Sequence, residues 1–317
     1  MFVDTGVAPN PYVFAVGCPR SGTTLLQRML DNHPALAVAN DSHFIPLAVR
    51  NVPLDVDPPL TGELVDWVRS YRRFHRLGLA DEQVARAARG AGTYAEFVAG
   101  LYTAYAAAHG KRLAGEKTPD YVKHLPRLHA LFPAARFVHI VRDGRDVALS
   151  ALEWARDGKG PSKLSLWASE PVAVCALWWR AMVGRGMEDG VDLGTAYRQI
   201  SYERLVDDPE PVLRGVSRHL GLEYTDAMAN FHVGRTRDNP RLSAKSAWLP
   251  AVPGLRDWQA TMGERDLVLF ELLAGDLLAE LGYDLADLSV TQEAAGVARR
   301  ARDWWEARHV EKVLVSA

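Results

Sequence analysis

The chain has 317 residues, 48% of them hydrophobic and 24% charged, with a formal net charge of −2 at pH 7. That length holds one large α/β domain or two small ones. The near-neutral balance excludes nucleic acid as the main partner, and the two cysteines, Cys18 and Cys175, exclude a disulfide framework. In chain order, Tyr12–Val16 is rich in β-branched and aromatic residues and reads as a buried strand. Gly17 to Gly22 is a compact loop. Thr23–Leu30 then puts Leu25, Leu26, Met29 and Leu30 on one helical face, and His33-Pro34 stops the helix. Strand, glycine-bounded loop and helix together make an anion cradle, because backbone N–H groups and the positive end of the helix dipole converge there.

The second strand is expected at Ala35–Ala39, followed by the loop Asn40-Asp41-Ser42-His43 at its carboxyl end, where open α/β sheets place ligands. Residues 47–62, with Pro53, Pro58 and Pro59, read as a loop or lid. From Gly62 to Gly110 the pattern is helical, with Leu64, Trp67, Val68 and Tyr71 on one stripe. Segment 47–110 is therefore expected as a helical insertion on the substrate side. Lys111–Pro119 reads as strand then loop, Tyr121–Leu131 as helix, and Arg136–Val141 as a strong strand. Arg142-Asp143-Gly144-Arg145-Asp146 and a helix from Val147 to about Ala155 complete a second strand–loop–helix unit. Residues 156–170 are polar and contain Gly and Pro, as a mobile loop over the site would.

Val172–Arg185 is an apolar helix and Tyr197–Tyr202 another strand. Residues 234–254 are basic and irregular, Trp258 to Gly282 is helical, and residues 286–317 end in an amphipathic helix. Strands alternating with helices give a central parallel sheet covered on both faces, a three-layer α/β/α fold forming a single domain over 1–317. Trp304 and Trp305 offer either a homodimer contact or packing on the domain itself. Neither a signal peptide nor an apolar run near the ~20 residues of a membrane span is visible. The expectation is a cytoplasmic protein, and the abundance of Ala, Arg and Trp points to a bacterial source.

The spacing Gly17-x-x-x-x-Gly22-Thr23-Thr24 is P-loop-like, except that Thr23 stands where a nucleotide P-loop carries Lys. That Lys would reach the terminal phosphates of a triphosphate, so its replacement counts against ATP or GTP hydrolysis. Arg20 keeps a cation in the loop. With Ser21, Gly22, Thr23 and Thr24 it suits a 5′-phosphate bearing a second anionic group.

At these residues G-C-P-R-S-G-T-T-L-L resembles the 5′-phosphosulfate loop of sulfotransferases that use 3′-phosphoadenosine 5′-phosphosulfate (PAPS). The second unit, F-V-H-I-V-R-D-G-R-D-V-A-L-S, places Ser150 eight residues after Arg142. The resembling enzymes hold the 3′-phosphate with an Arg and a Ser at that spacing, which implies that role for Arg142 and Ser150. A guanidinium fork and a hydroxyl converge on a dianion as one residue could not. Arg145 is either a helper or a salt-bridge partner of Asp143 or Asp146.

The run from Arg20 through His33-Pro34 to Ile45-Pro46 resembles the tyrosylprotein branch. Its catalytic Glu falls on Asp41 and its leaving-group Lys on Lys117, in G-E-K-T-P. Asp is one methylene shorter than Glu. The family carries Arg where this chain has His43, so His43 is the rival base, an imidazole titrating near neutrality without help. Asp41 also has a structural alternative as a helix N-cap or Asx turn, and Lys117 one as a snorkelling surface residue. Tyr202 either stacks on adenine or packs. Lys245 and Ser243, or Arg241, fall where relatives close over the 3′-phosphate. The resemblance implies metal-free, in-line transfer of a sulfuryl group from PAPS to a hydroxyl-bearing acceptor. A P-loop small-molecule kinase and a non-catalytic binder of the same fold are the alternatives.

Overall fold

The computed structural model describes residues 10–233 and 257–315, with side chains to residue 308. Backbone packing divides the chain into two units, Met1–Val141 with Arg185–Pro253 and Arg142–Gly184 with Gly254–Ala317.

The first unit is built on five strands: β1 (Val13–Val16), β2 (Leu36–Asn40), β3 (Leu113–Lys117), β4 (Arg136–Val141) and β5 (Tyr197–Ser201). All pair in parallel, in the order β2-β3-β1-β4-β5. Parallel strands are buried on both faces, and β1 is apolar throughout and buried at every residue. Its side chains alternate between two cores. Val13 and Ala15 join Val138, Leu26, Met29 and Val216 in one core, under α1 (Thr23–Asp31). Phe14 points the other way and meets Phe137 at 5.4 Å, Phe132 at 5.9 Å and Tyr121 at 6.1 Å. Each such side chain contributes ~1.5–3 kcal/mol by leaving water. Helices thus cover both faces, giving the three-layer α/β/α architecture expected from the alternation.

After β2 the chain forms a short α2 (Phe44–Ala48), then α3 (Gly62–Ser70), α4 (Asp81–Arg89) and α5 (Tyr94–Ala108). Thr61 caps α3 by accepting from the Leu64 amide at 3.2 Å, and Thr93 and Glu96 form a capping box at the start of α5. A 3-10 turn, Phe74–Leu77, separates α3 from α4. The stretch expected to be one helix from Tyr121 opens instead as a 3-10 turn, Pro119–His124, before α6 (Leu125–Leu131). Pro126, near the α6 start, has no N–H to extend a longer α-helical ladder.

In the second unit α7 (Gly144–Ala155) starts three residues earlier than its apolar pattern suggests, because the Asp143 carboxylate caps it at the Arg145 amide, 2.9 Å away. Residues 160–168 form two short 3-10 turns. The helix expected to end at Arg185 runs on as α8 (Pro171–Leu193), crossing from the second unit into the first. The first unit then closes with α9 (Tyr202–Asp207), α10 (Pro209–Leu220) and α11 (Asp226–Ala229), and the second with α12 (Trp258–Thr261), α13 (Glu264–Glu280) and α14 (Gln292–Val315).

Candidate active site

The carboxyl ends of β1, β3 and β2 lie side by side, with Ala15 in register with Lys117 and Lys117 with Asn40. The loops that leave these ends therefore meet. The loop after β1 turns through Arg20, at φ 79°, and Gly22, at φ 89°, into α1. Gly22 is obligatory: a Cβ there would sit 2.3 Å from the Tyr202 ring. Tyr202 was expected at a strand end but is the first residue of α9, and its ring lies against this glycine and the neighbouring core.

No side chain caps α1, so its first-turn amides have no partner within the helix. The Ser21 hydroxyl is fully buried beside them and has no hydrogen-bond partner among the described residues. Buried hydroxyls are ordinarily satisfied. An orphaned hydroxyl, open helix amides and a position with no room for a methyl fit a bound oxyanion. Thr23 is buried, and Thr24 faces the next element.

That element is Lys117, the last residue of β3. It is 2% exposed, which removes the snorkelling alternative. Its ammonium lies 3.1 Å from Asp41 Oδ1 and 3.5 Å from Thr24 Oγ1. Burial lowers its pKa, and the adjacent Asp41 carboxylate pulls it back up. Asp41 is neither cap nor Asx turn: its carboxylate sits between Lys117 and Arg76, whose guanidinium is 3.5 Å from Oδ2 and donates to the Asp41 carbonyl at 3.2 Å.

His43 follows two residues on. Its imidazole is pushed down to about 4, first by burial and then by Arg73, against the pull of Asp120. It is therefore neutral at pH 7. Its Nδ1 is 3.9 Å from Asp120 Oδ2. Asp120 is pulled up by burial, but Lys123, 2.9 Å away, and His43 outweigh this and leave it below the usual carboxylate range. Both Asp41 (φ 55°) and His43 (φ 60°) have left-handed backbones.

Sequence reasoning singled out neither Arg76 nor Asp120 as a site residue. The signal for Asp120 was its place just beyond a strand's carboxyl end, in T-P-D. Arg76 carried none, since its 3-10 turn has no motif.

In the second unit, Arg142 is its first residue and is 6% exposed. Its guanidinium pairs with Asp146 at 2.9 Å, and its carbonyl accepts from the Trp179 indole at 3.1 Å. Ser150, 3% exposed, stands one helical turn beyond Asp146 on α7. Arg145 resolves as a structural residue, paired with Asp143 at 2.7 Å and Glu271 at 2.7 Å, with Trp258 stacked 3.6 Å away. Lys245, Ser243 and Arg241 lie outside the described residues.

The described fold is a parallel α/β sheet with a glycine-entered helix, uncapped by any side chain, at its centre. The chain belongs to the sulfotransferase family, whose model matches residues 11–226. It is therefore a transferase of sulfuryl groups, and the kinase alternative is set aside. It is 27% identical to nodulation protein NoeE of Sinorhizobium fredii, over 96% of this chain and 76% of that protein. It is 23% identical to protein-tyrosine sulfotransferase A of Caenorhabditis elegans, over 94% of this chain and 76% of that one. In fold it resembles the sulfotransferase domain from the Synechococcus PCC 7002 olefin synthase, with a TM-score of 0.56 and 23% identity over 88% of this chain and 97% of that one. No described helix is long and apolar enough to cross a membrane.

Proposed function

We propose that this chain transfers a sulfuryl group from PAPS to the hydroxyl of an acceptor, with Asp41 as the base. When bound, PAPS supplies the sulfuryl group and departs as adenosine 3′,5′-bisphosphate. The observation that carries the reading is the position of the buried Lys117 ammonium, between Thr24 on the cradle and Asp41 on the neighbouring loop.

From that position each residue has a task. Ser21, the α1 amides, Thr23 and Thr24 bind the 5′-phosphosulfate, and Arg20 adds positive charge. Lys117 places its cation where charge builds on the leaving oxygen. Asp41 takes the proton from the acceptor hydroxyl at a carboxylate oxygen, a role worth typically ~10²–10⁴-fold. His43 stands as the neighbouring candidate, its imidazole pushed down to about 4 chiefly by burial and so neutral near pH 7. Arg142 and Ser150 hold the 3′-phosphate, and Tyr202 lines the adenosine side of the glycine. The acceptor is a small molecule, natural product, glycan or tyrosine.

The test measures binding of adenosine 3′,5′-bisphosphate by calorimetry and transfer from radiolabelled PAPS to a panel of phenols and alcohols in the presence of a chelator. Binding and chelator-resistant transfer are expected. Arg142→Ala should weaken bisphosphate binding by the ~1.5–3 kcal/mol of a charge-assisted hydrogen bond. Failure of the wild-type protein to bind the bisphosphate would sink the reading.

A further inference from the structure

Glu116 has no part in the chemistry proposed above, yet it is 0% exposed and holds three donors. Its Oε1 accepts from the Ser42 amide at 2.8 Å and from the Thr118 hydroxyl, and its Oε2 accepts from the Tyr102 hydroxyl at 2.6 Å. Burial raises its pKa, and the hydrogen bonds from Thr118 and Tyr102 oppose the rise.

Ser42 is the middle residue of a turn with a left-handed residue on each side, Asp41 and His43. Left-handed backbone is uncommon for residues other than glycine and persists where surrounding structure imposes it. The next residue on β3, Lys117, holds the first of the pair: its carbonyl accepts from the Asp41 amide at 2.7 Å, and its ammonium meets the Asp41 carboxylate. Successive strand side chains leave opposite faces of a sheet. Consecutive residues Glu116 and Lys117 thus grip consecutive residues Ser42 and Asp41 from the two sides. Beyond the turn, the Tyr121 hydroxyl accepts from the Ile45 amide at 3.1 Å, and Tyr94 donates to the Ile45 carbonyl at 3.0 Å. The platform under the turn is continuous and buried.

We propose that Glu116 is a positioning residue for sulfuryl transfer, fixing the Asp41–His43 turn so that the Asp41 carboxylate meets Lys117. The inference rests on the roles given above to Asp41 and Lys117. A carboxylate suits the task because it accepts several hydrogen bonds at once and binds each more tightly than a neutral acceptor.

Glu116→Met keeps the length of the side chain and removes the acceptor, leaving the Ser42 amide buried and unpaired. Turnover of PAPS with 4-nitrophenol is expected to fall ~100-fold, the scale of a misplaced reacting group. Affinity for adenosine 3′,5′-bisphosphate should hold within about twofold, because the cradle residues bind it elsewhere. Glu116→Gln keeps an acceptor for Ser42 and should recover turnover to within about tenfold of wild type. A purely structural role would lower the melting temperature without this split between turnover and donor affinity.

In an Asp41→Asn background Glu116→Met should cost nothing further, since it acts through Asp41. A crystal structure of Glu116→Met should show Asp41 and His43 leaving the left-handed region and the Lys117–Asp41 contact broken. Unchanged turnover, additive losses with Asp41→Asn, or an undisturbed turn would each overturn the proposal. Should the wild type turn over no acceptor, the reading of Asp41 falls, and the two crystal structures alone decide the role of Glu116. Should Glu116→Met fail to fold, Tyr102→Phe removes one of the three donors. It should lower turnover at constant donor affinity, and unchanged turnover in that variant would overturn the inference.

Discussion

Lys117 is given the largest single share of the proposed chemistry. An ammonium at 2% exposure is tolerated because Asp41 lies 3.1 Å away, and an unpaired buried cation would shift its proton instead. Lys117→Ala should lower kcat by two orders of magnitude or more, roughly the share of barrier reduction one electrostatic donor supplies. The fold should survive, since Asp41 keeps Arg76 and remains 24% exposed to water. Near-normal turnover would remove Lys117 from the mechanism. The choice between the two candidate bases is also tested residue by residue. His43 changes charge near pH 4 in the folded protein. A kcat profile governed by His43 would therefore bend near that pH and not at the usual 6.5 of histidine. Asp41→Asn should cost ~10²–10⁴-fold and His43→Gln far less; the reverse order would make His43 the base.

The element that matters most is the β1–loop–α1 unit, and its weak point is Gly22. Alanine there must adopt φ near 89° and push its Cβ into the Tyr202 ring. Gly22→Ala should destabilise the protein by ~1–3 kcal/mol, the usual cost of strain with overpacking, and reduce donor binding along with it. A shift in urea midpoint measures the first effect and calorimetry the second; an unshifted midpoint would mean that the loop moves freely. This unit was legible from sequence because everything it needs is local: an apolar run, two glycines five positions apart, and an amphipathic helix. The same holds for β4, though not for the first turn of α7, which the Asp143 cap sets. The platform under the Asp41 turn was not legible. Tyr102, Tyr121 and Ser42 reach Glu116 or one another across sequence separations of 14 to 79 residues, and no pattern of local spacing encodes such meetings. Tyr202 was misread as strand for a related reason. Its β-type neighbours continue the alternation, but the Ser201 hydroxyl accepts from the Arg204 amide at 3.2 Å and starts a helix.

Across the whole molecule, several histidines are held neutral by burial. His139, fully buried on β4 and bonded to the Tyr197 hydroxyl at 2.6 Å, is pushed down to about 3. His43 and His219 are each pushed to about 4, both chiefly by burial. In the unfolded chain such groups take up protons from about pH 6.5 downward. The folded chain takes them up only near pH 4 or 3, so the unfolded state binds more protons in that window. Stability should therefore be fully present above pH 6.5 and fall as the pH drops toward 4, with His139 still contributing down to 3. Denaturant titrations across this range test it. His139→Gln should flatten the slope, and a slope equal to wild type would remove His139 as a cause.

The shared ammonium has a kinetic reading as well. One side chain stands between a partner on the helix that starts the cradle and a partner on the facing loop, and it cannot lean fully toward both. Under the proposed function, a negatively charged donor over Thr24 would draw it one way and loosen its hold on the carboxylate on the other. On the proposed roles, proton abstraction should follow arrival of the donor, and product-inhibition patterns would read that order of loading from the few ångströms on either side of a single lysine.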